Sequence, residues 1–217
     1  MRTMFQNRSD AGSRLSSRLL QYKGRPDVMV LALPRGGVVT GYEIARALNV
    51  PLDVLIVRKL GFPGQPELAL GAVAESGTIV LNDDIVTEGR VSEAFIKSET
   101  ERQKEEIARR VVIYRSGKGL PDLSGTVVIL ADDGVATGAT IKAAISALKE
   151  QKVEKLVVAL PVGPPGTVKA LRQMVDELIC LETPLSFMAV SAHYLDFAQV
   201  SDDEVVDILQ RISAKAA

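Results

Sequence analysis

The sequence predicts an α/β protein with a mostly parallel central sheet and helices on both faces. Three observations carry this reading. Apolar runs of strand length alternate with longer segments of helical periodicity, which is the pattern of βα units joined by right-handed crossovers. The runs Val28–Leu33 and Val127–Ala131 are continuously apolar, as strands buried on both faces are, with no solvated side to impose alternation. Glycine-containing turns follow these runs directly and open into helical segments.

In chain order, Asp27–Leu33 reads as a strand, Gly37–Leu48 as a helix and Leu52–Val57 as a second strand. The pattern then breaks. Between Lys59 and Ser92, Pro63, Gly64, Pro66, Gly71 and Gly77 separate short apolar pieces, consistent with a hairpin of Ala69–Ala74 and Thr78–Leu81. This stretch, about 60–90, is expected to be a flexible β-ribbon flap. Ser92 to about Arg115 follows as a long helix, whose charged run Glu99–Arg110 reads as a solvated face with i,i+4 pairs. Val127–Ala131, Ile141–Lys149, Lys155–Leu160 and Thr167–Val175 then repeat strand, helix, strand, helix.

The segment with the most chemical content is Val127 to Thr140, an apolar strand that ends in Asp132 and Asp133 and passes through Gly134-Val135-Ala136-Thr137-Gly138-Ala139-Thr140 into a helix. A strand-to-helix turn of this kind lies at the carboxyl end of the sheet, where ligands bind in open α/β folds. Gly134 and Gly138 allow close backbone approach, the helix amino terminus offers free N–H groups, and Thr137 and Thr140 add hydroxyls. A phosphate monoester fits that cradle. The two carboxylates on its edge can accept hydrogen bonds from vicinal sugar hydroxyls or approach a hydrated Mg²⁺. A second turn, Pro34-Arg35-Gly36-Gly37, also joins a strand to a helix. Its glycines let N–H groups face an anion, and the Arg35 guanidinium supplies charge-assisted hydrogen bonds suited to a diphosphate. Arg58 and Lys59, after the second strand, are expected on the same rim, and Pro161–Gly166 forms a further strand-end loop.

The segment Val127–Thr140 resembles the phosphoribosyl pyrophosphate (PRPP) signature of the type I phosphoribosyltransferases: an apolar strand, two acidic residues, small residues, then Ala-Thr-Gly-(Gly/Ala)-Thr. With Arg58–Ala74 and Asp196–Val205, the resemblance extends over nearly the whole chain. It points to a branch of predicted phosphoribosyltransferases sometimes fused to a dienelactone-hydrolase-like domain. No Gly-x-Ser-x-Gly elbow of such a hydrolase occurs in this sequence. The resemblance implies one domain over 1–217, with a core of about 24–183, the flap, and a small hood built from 1–23 and 184–217. It implies transfer of the 5-phosphoribosyl group from PRPP to a nitrogenous acceptor with release of pyrophosphate. Asp132 and Asp133 would meet the ribose 2′- and 3′-hydroxyls and Mg²⁺, directly or through water. Gly134, Val135 and the residues to Thr140 would wrap the 5′-phosphate, and Pro34, Gly36, Gly37, Arg35, Arg58 and Lys59 would handle the diphosphate. Arg35 and Lys59 join the acidic pair as catalytic candidates. The family's pyrophosphate loop often holds a non-proline cis peptide, here at Pro34–Arg35 or Arg35–Gly36. Phe187, Tyr194 and Phe197 are base-stacking candidates in the hood, and His193 is an acid/base candidate. The alternative function is a regulatory protein that senses PRPP or a nucleotide without turnover.

Composition narrows the remaining classes. With 217 residues and 47% hydrophobic content, the chain can bury a substantial core, and it is not of a disordered class. No apolar run reaches membrane-spanning length and the amino terminus is polar, so a cytoplasmic protein without a membrane partner is expected. Cys180 is the sole cysteine and His193 the sole histidine, which excludes an intrachain disulfide and a Cys/His metal cluster. Cys180 reads as a buried strand residue. Residues 1–60 carry ten Lys and Arg against four Asp and Glu, whereas 176–217 carry two against eight. The basic residues are dispersed, with no aromatic interleaving, so no nucleic-acid partner is expected. A P-loop or dinucleotide fold fails on residues: Gly134–Thr140 contains no Gly-Lys-Ser/Thr, and Arg35-Gly36-Gly37 is not Gly-x-Gly-x-x-Gly. The acceptor carries no recognisable code, and a homodimer stays open.

Overall fold

The computed structural model describes residues 4–216. In chain order the elements are α1 (Arg8–Ser16), β1 (Val28–Ala32), α2 (Gly36–Leu48), β2 (Leu52–Val54), β3 (Val57–Phe62), β4 (Gln65–Ala74), β5 (Ile79–Leu81), α3 (Asp83–Glu88), α4 (Glu93–Arg115), β6 (Val127–Ala131), α5 (Ala139–Glu150), β7 (Lys155–Val162), α6 (Pro165–Arg172), β8 (Glu177–Glu182) and α7 (Asp202–Ala216). A five-stranded sheet of order β2-β1-β6-β7-β8 forms the centre, and every pairing in it is parallel. A second sheet, β3-β4-β5, is antiparallel.

Because side chains alternate across a strand, each central strand feeds two cores. Val28, Val30 and Ala32 of β1, with Ile129 and Ala131 of β6, join Val38 and Ile44 of α2 and Val205 and Leu209 of α7. Leu31, with Val128 and Leu130, joins Ile141, Ile145 and Leu148 of α5 and Leu171 of α6 on the opposite face. Continuous apolarity in β6 therefore reports burial on both sides. After β1 the chain winds toward β2, and after β6 it winds toward β7 and β8. The winding direction reverses between β1 and β6, and their carboxyl ends flank a crevice at that point.

Four expectations change in detail. The single strand Leu52–Val57 is two elements: β2 stops at Val54, and β3 begins at Val57 in the other sheet. Residues 54–57 are buried throughout, so their apolarity comes from passing between sheets and not from one uninterrupted strand. The hairpin exists, with Gly71 opposite Leu81 and Val73 opposite Ile79, but β3 extends it to three strands. Leu60, Leu70 and Val73 lie in the main core, so the base of the expected flap is packed, while the turn around Pro63 and Gly64 is among its exposed parts, with Leu68, Ile79 and residues 82–84. The run Glu99–Arg110 is not wholly solvated either. Glu99, Gln103, Ile107, Arg110 and Tyr114 form the buried stripe of α4, and Glu99 accepts hydrogen bonds from Arg102 and Gln103. Hydropathy alone misses a stripe in which Ile107 and Tyr114 are joined by buried Glu99, Gln103 and Arg110. Finally, parts of the segments expected to form a hood, 1–23 and 184–217, are packed into the central core. Leu15, Leu19 and Tyr22 belong to the main core, as do Val205 and Leu209 of α7. The part beside the crevice is a local pairing: Phe5 bridges Tyr194 in parallel, with Phe5 N–H donating to the His193 carbonyl and Leu195 N–H to the Phe5 carbonyl, both at 2.9 Å. Residues 1–3 lie outside the described residues.

Candidate active site

The loops after β1 and β6 meet in the crevice, and glycine makes the meeting possible. A methyl carbon at position 37 would stand 2.9 Å from Asp132 Cα and 3.1 Å from the Ala131 carbonyl oxygen. At position 36 it would stand 1.9 Å from Asp133 Oδ2. The two turns thus lie so close, Gly37 against the backbone of residues 131–132 and Gly36 against the Asp133 side chain, that neither glycine has room for a side chain. The peptide between Pro34 and Arg35 is cis. Leu33 N–H donates to the Ala131 carbonyl at 3.0 Å, tying the two strand ends together just below the turns.

The acidic pair is held from several sides. Asp132 Oδ1 accepts the Asp133 N–H at 2.8 Å, which fixes one carboxylate against its neighbour's backbone. Burial, and next the Asp133 charge, push the Asp132 carboxyl well above the usual carboxylate range. The Tyr194 hydroxyl donates to the Asp133 carbonyl at 2.5 Å. Asp133 Oδ2 accepts from Arg8 Nε at 2.6 Å, in an ion pair largely withdrawn from solvent. Arg8 also donates from Nη1 to the Ala198 carbonyl at 2.7 Å, and its guanidinium lies 3.7 Å from the centre of the Phe197 ring.

The cradle that follows is open at its centre and anchored at its ends. Val135 is buried, with its N–H bonded to the Val162 carbonyl at 2.9 Å, while Ala136 and Thr137 are exposed. Thr167 Oγ1 donates to the Ala136 carbonyl at 2.8 Å. Gly138 takes φ +83°, a left-handed conformation suited to glycine, at the N-cap of α5, and no side chain caps the helix. The first N–H groups of α5 are therefore presented to an incoming anion. A cavity of about 460 Å³ opens between this cradle and the second sheet, with Leu68, Ala69, Leu81, Asp84, Thr137 and Lys142 among its walls.

The remaining candidates are placed less uniformly. Arg35, at the N-cap of α2, lies beside the crevice with Nη1 3.8 Å from Asp202 Oδ1, and Asp202 also accepts from Tyr114. Arg58 and Lys59 sit inside β3 and not at the end of a central strand. Arg58 turns to α4, where Nε donates to Gln103 Oε1 at 3.0 Å; burial, and then Arg110, pull its pKa downward. Lys59 is exposed and pairs in register with Ala72. Of the base-stacking candidates, Tyr194 and Phe197 are occupied with packing: Tyr194 lies between Phe5 and Phe197, and Phe197 carries Arg8. Phe187 stacks on the buried His193 ring at 5.4 Å. Cys180 lies partly buried in β8, where its thiol donates to the Glu182 carbonyl and burial pushes its pKa up to about 11. Sequence reasoning missed Arg8. An isolated arginine in a polar amino-terminal segment carries no local signal, and its role depends on residues more than a hundred positions away.

The carboxylate oxygens left over suit a hydrated Mg²⁺ brought in with a ligand rather than a cage made by the protein. Asp132 Oδ1 and Asp133 Oδ2 are engaged, and no group of three or more His, Cys, Asp or Glu side chains able to hold a metal exists among the described residues. Among them, too, no helix is long and apolar enough to cross a membrane.

The chain is similar to known proteins in sequence and in fold. The model of the phosphoribosyl transferase domain matches residues 4–197. Two curated Mycobacterium tuberculosis proteins, MT0597 and Rv0571c, whose names provisionally call them phosphoribosyl transferases, are each 46% identical over 208 residues. Those matches cover 96% of this chain and 47% of each relative, so the chain spans about half the length of these relatives. The crystal structure of TT1426 from Thermus thermophilus is 41% identical with a TM-score of 0.79, covering 96% of this chain and 98% of that one. AQ2163 from Aquifex aeolicus shares the fold at 13% identity, with a TM-score of 0.50 over 80% of this chain and 73% of its own.

Proposed function

The chain belongs to the phosphoribosyl transferase domain family, and from that premise we propose that it moves the 5-phosphoribosyl group from PRPP to a nitrogenous acceptor, releasing pyrophosphate. The observation that carries this reading is the close approach of Gly37 to the Asp132 backbone and of Gly36 to the Asp133 carboxylate, which would join a diphosphate-binding turn to a sugar-phosphate cradle.

In the proposed complex, the 5′-phosphate lies against the exposed backbone of Ala136 and Thr137 and the amino terminus of α5, with the Thr137 and Thr140 hydroxyls donating. The free carboxylate oxygens of Asp132 and Asp133 accept hydrogen bonds from the ribose hydroxyls, which fixes the sugar so that C1 faces the acceptor. Backbone N–H groups of Gly36 and Gly37, with Arg35 turned from Asp202, receive the departing diphosphate. Mg²⁺, when bound with PRPP, would neutralise diphosphate charge and so favour its departure. The β3–β4 turn covers the reacting sugar and limits water access to a cation-like C1. Lys59 reaches the diphosphate only if the ribbon closes. The proposal sets this chemistry in the cytoplasm.

Calorimetry with PRPP tests the reading. Wild type is expected to bind PRPP, more tightly with Mg²⁺, and Thr137→Val and Asp133→Asn to weaken it about tenfold, the scale of one lost charge-assisted hydrogen bond. Absence of PRPP binding at millimolar ligand refutes the proposal. Pyrophosphate release is then screened across purine, pyrimidine and simple amine acceptors. Binding without release for any of them favours the sensing function.

A further inference from the structure

We propose that Arg8 is a built-in counter-cation for Asp133, so that Asp133 receives a sugar hydroxyl as a hydrogen-bond acceptor and does not itself ligate a divalent ion. The inference rests on the reading of the crevice as a phosphoribosyl site, and it assigns a positioning role to a residue outside both loops.

Three contacts fix the guanidinium. Its Nε donates to Asp133 Oδ2 at 2.6 Å, its Nη1 donates to the Ala198 carbonyl at 2.7 Å, and its face covers Phe197 at 3.7 Å. The backbone beneath is equally constrained. Asn7 caps α1 by accepting the Asp10 N–H at 2.9 Å, and α1 packs on α2 so closely that a methyl carbon at position 12 would lie 2.6 Å from the Thr40 carbonyl oxygen. Arg8 is only 9% exposed, so its charge is delivered to Asp133 with little screening by water. A cation tethered in this way differs from a swinging gate, since all of its anchors would have to be released together.

The consequence is chemical. A divalent ion seeking Asp133 directly would compete with a guanidinium already seated on Oδ2 and would meet its positive charge at close range. Oδ1 of Asp133 is oriented by the same pairing and stays available to a neutral hydroxyl. The metal dependence of ligand binding then resides in the diphosphate, and a ligand without a diphosphate has none.

The test uses the full chain without PRPP. Mn²⁺ alone is titrated and the free ion is followed by electron paramagnetic resonance. Asp133→Asn in an otherwise wild-type chain is expected to leave the Mn²⁺ titration unchanged, because Asp133 is not a ligand. Arg8→Gln is expected to bind Mn²⁺ roughly tenfold more tightly, the gain expected from removing a nearby positive charge. Arg8→Gln combined with Asp133→Asn is expected to lose that gain, and Arg8→Lys to behave as wild type. In parallel, ribose 5-phosphate is expected to bind wild type equally in Mg²⁺ and in chelator. A loss of Mn²⁺ binding on Asp133→Asn alone overturns the proposal, and this arm holds even if Arg8→Gln does not fold. So does a folded Arg8→Gln protein with no gain, or ribose 5-phosphate binding that requires Mg²⁺. The Mn²⁺ titrations contain no sugar phosphate, so failure of PRPP to bind wild type would remove the functional reading and leave their result standing.

Discussion

Replacing Gly36 with alanine is expected to separate the two loops that make the site. The added carbon would lie 1.9 Å from Asp133 Oδ2 and 2.7 Å from Arg8 Nε, whereas ordinary contact begins near 3.4 Å. The carboxylate oxygen must therefore retreat by about 1.5 Å, the difference between the first and last of those distances, and the 2.6 Å pair with Arg8 cannot survive that displacement. Losing a charge-assisted hydrogen bond between mostly buried groups costs about 1.5–3 kcal/mol. Alanine's better helix propensity at the first residue of α2 offsets up to about 1 kcal/mol of this. The net loss is about 1–2 kcal/mol, or about 0.5 M in a urea midpoint for a slope of about 2–3 kcal/mol/M. Gly166→Ala is the control: it also lies in the first turn of a helix, and nothing stands within 4 Å of the added carbon. It should leave the midpoint unchanged or raise it slightly. PRPP affinity, measured by calorimetry on both variants, should fall about tenfold or more only for Gly36→Ala. A Gly36→Ala protein with the stability and PRPP affinity of wild type would refute the argument that these loops are in contact.

Tyr194→Phe removes the donor to the Asp133 carbonyl and is expected to lower stability by about 1–2 kcal/mol in the same assay, with PRPP affinity falling as the acidic pair loosens. Glu106 accepts hydrogen bonds from Arg109 and Arg110, and these pull its carboxyl down to about 2, with the Arg109 bond the largest cause. Because the folded value lies below the unfolded one, the contribution is complete above about pH 4.5 and is lost as pH falls from there toward 2. Partial exposure limits it to about 1 kcal/mol. The stability difference between wild type and Glu106→Gln should therefore shrink through that window; a difference independent of pH would contradict it. Hydrogen exchange should be slow without ligand at Leu70 and Val73, which are in the core, and fast around Pro63 and Gly64, with the latter region gaining protection from PRPP and Mg²⁺. Slow exchange throughout the ligand-free ribbon would count against its closing role.

What could be read from the sequence follows from how local the causes are. The burial of β6 on both faces is written in Val127–Ala131 itself, and the turn chemistry of residues 132–138 is contained within the turn. The meeting of that turn with Gly36-Gly37 follows from parallel alternation, because a reversal of winding brings two strand ends side by side. Other features depend on distant partners. The division of Leu52–Val57 is set by a second sheet that covers residues 54–57, and the direction of Arg58 is set by Gln103 on a helix laid across it. The buried stripe of α4 is largely polar, with Ile107 its one aliphatic member, so neither charge nor hydropathy distinguishes it from a solvated face. Arg8 lies furthest from any local rule, since its three partners come from residues 133, 197 and 198.

The pairing of Phe5 with Tyr194 also bears on how the protein is made. A chain emerging from the ribosome exposes the cradle and both aspartates long before residues 194–198 exist. Until they arrive, the Asp133 carbonyl has no tyrosine donor, and Arg8 has neither the Ala198 carbonyl nor the Phe197 ring. Closing a loop from residue 5 to residue 194 is also entropically costly and so late in folding. The nascent polypeptide thus carries Asp132, Asp133 and the turn that follows them without their finished electrostatic setting until residues 194–198 have been made.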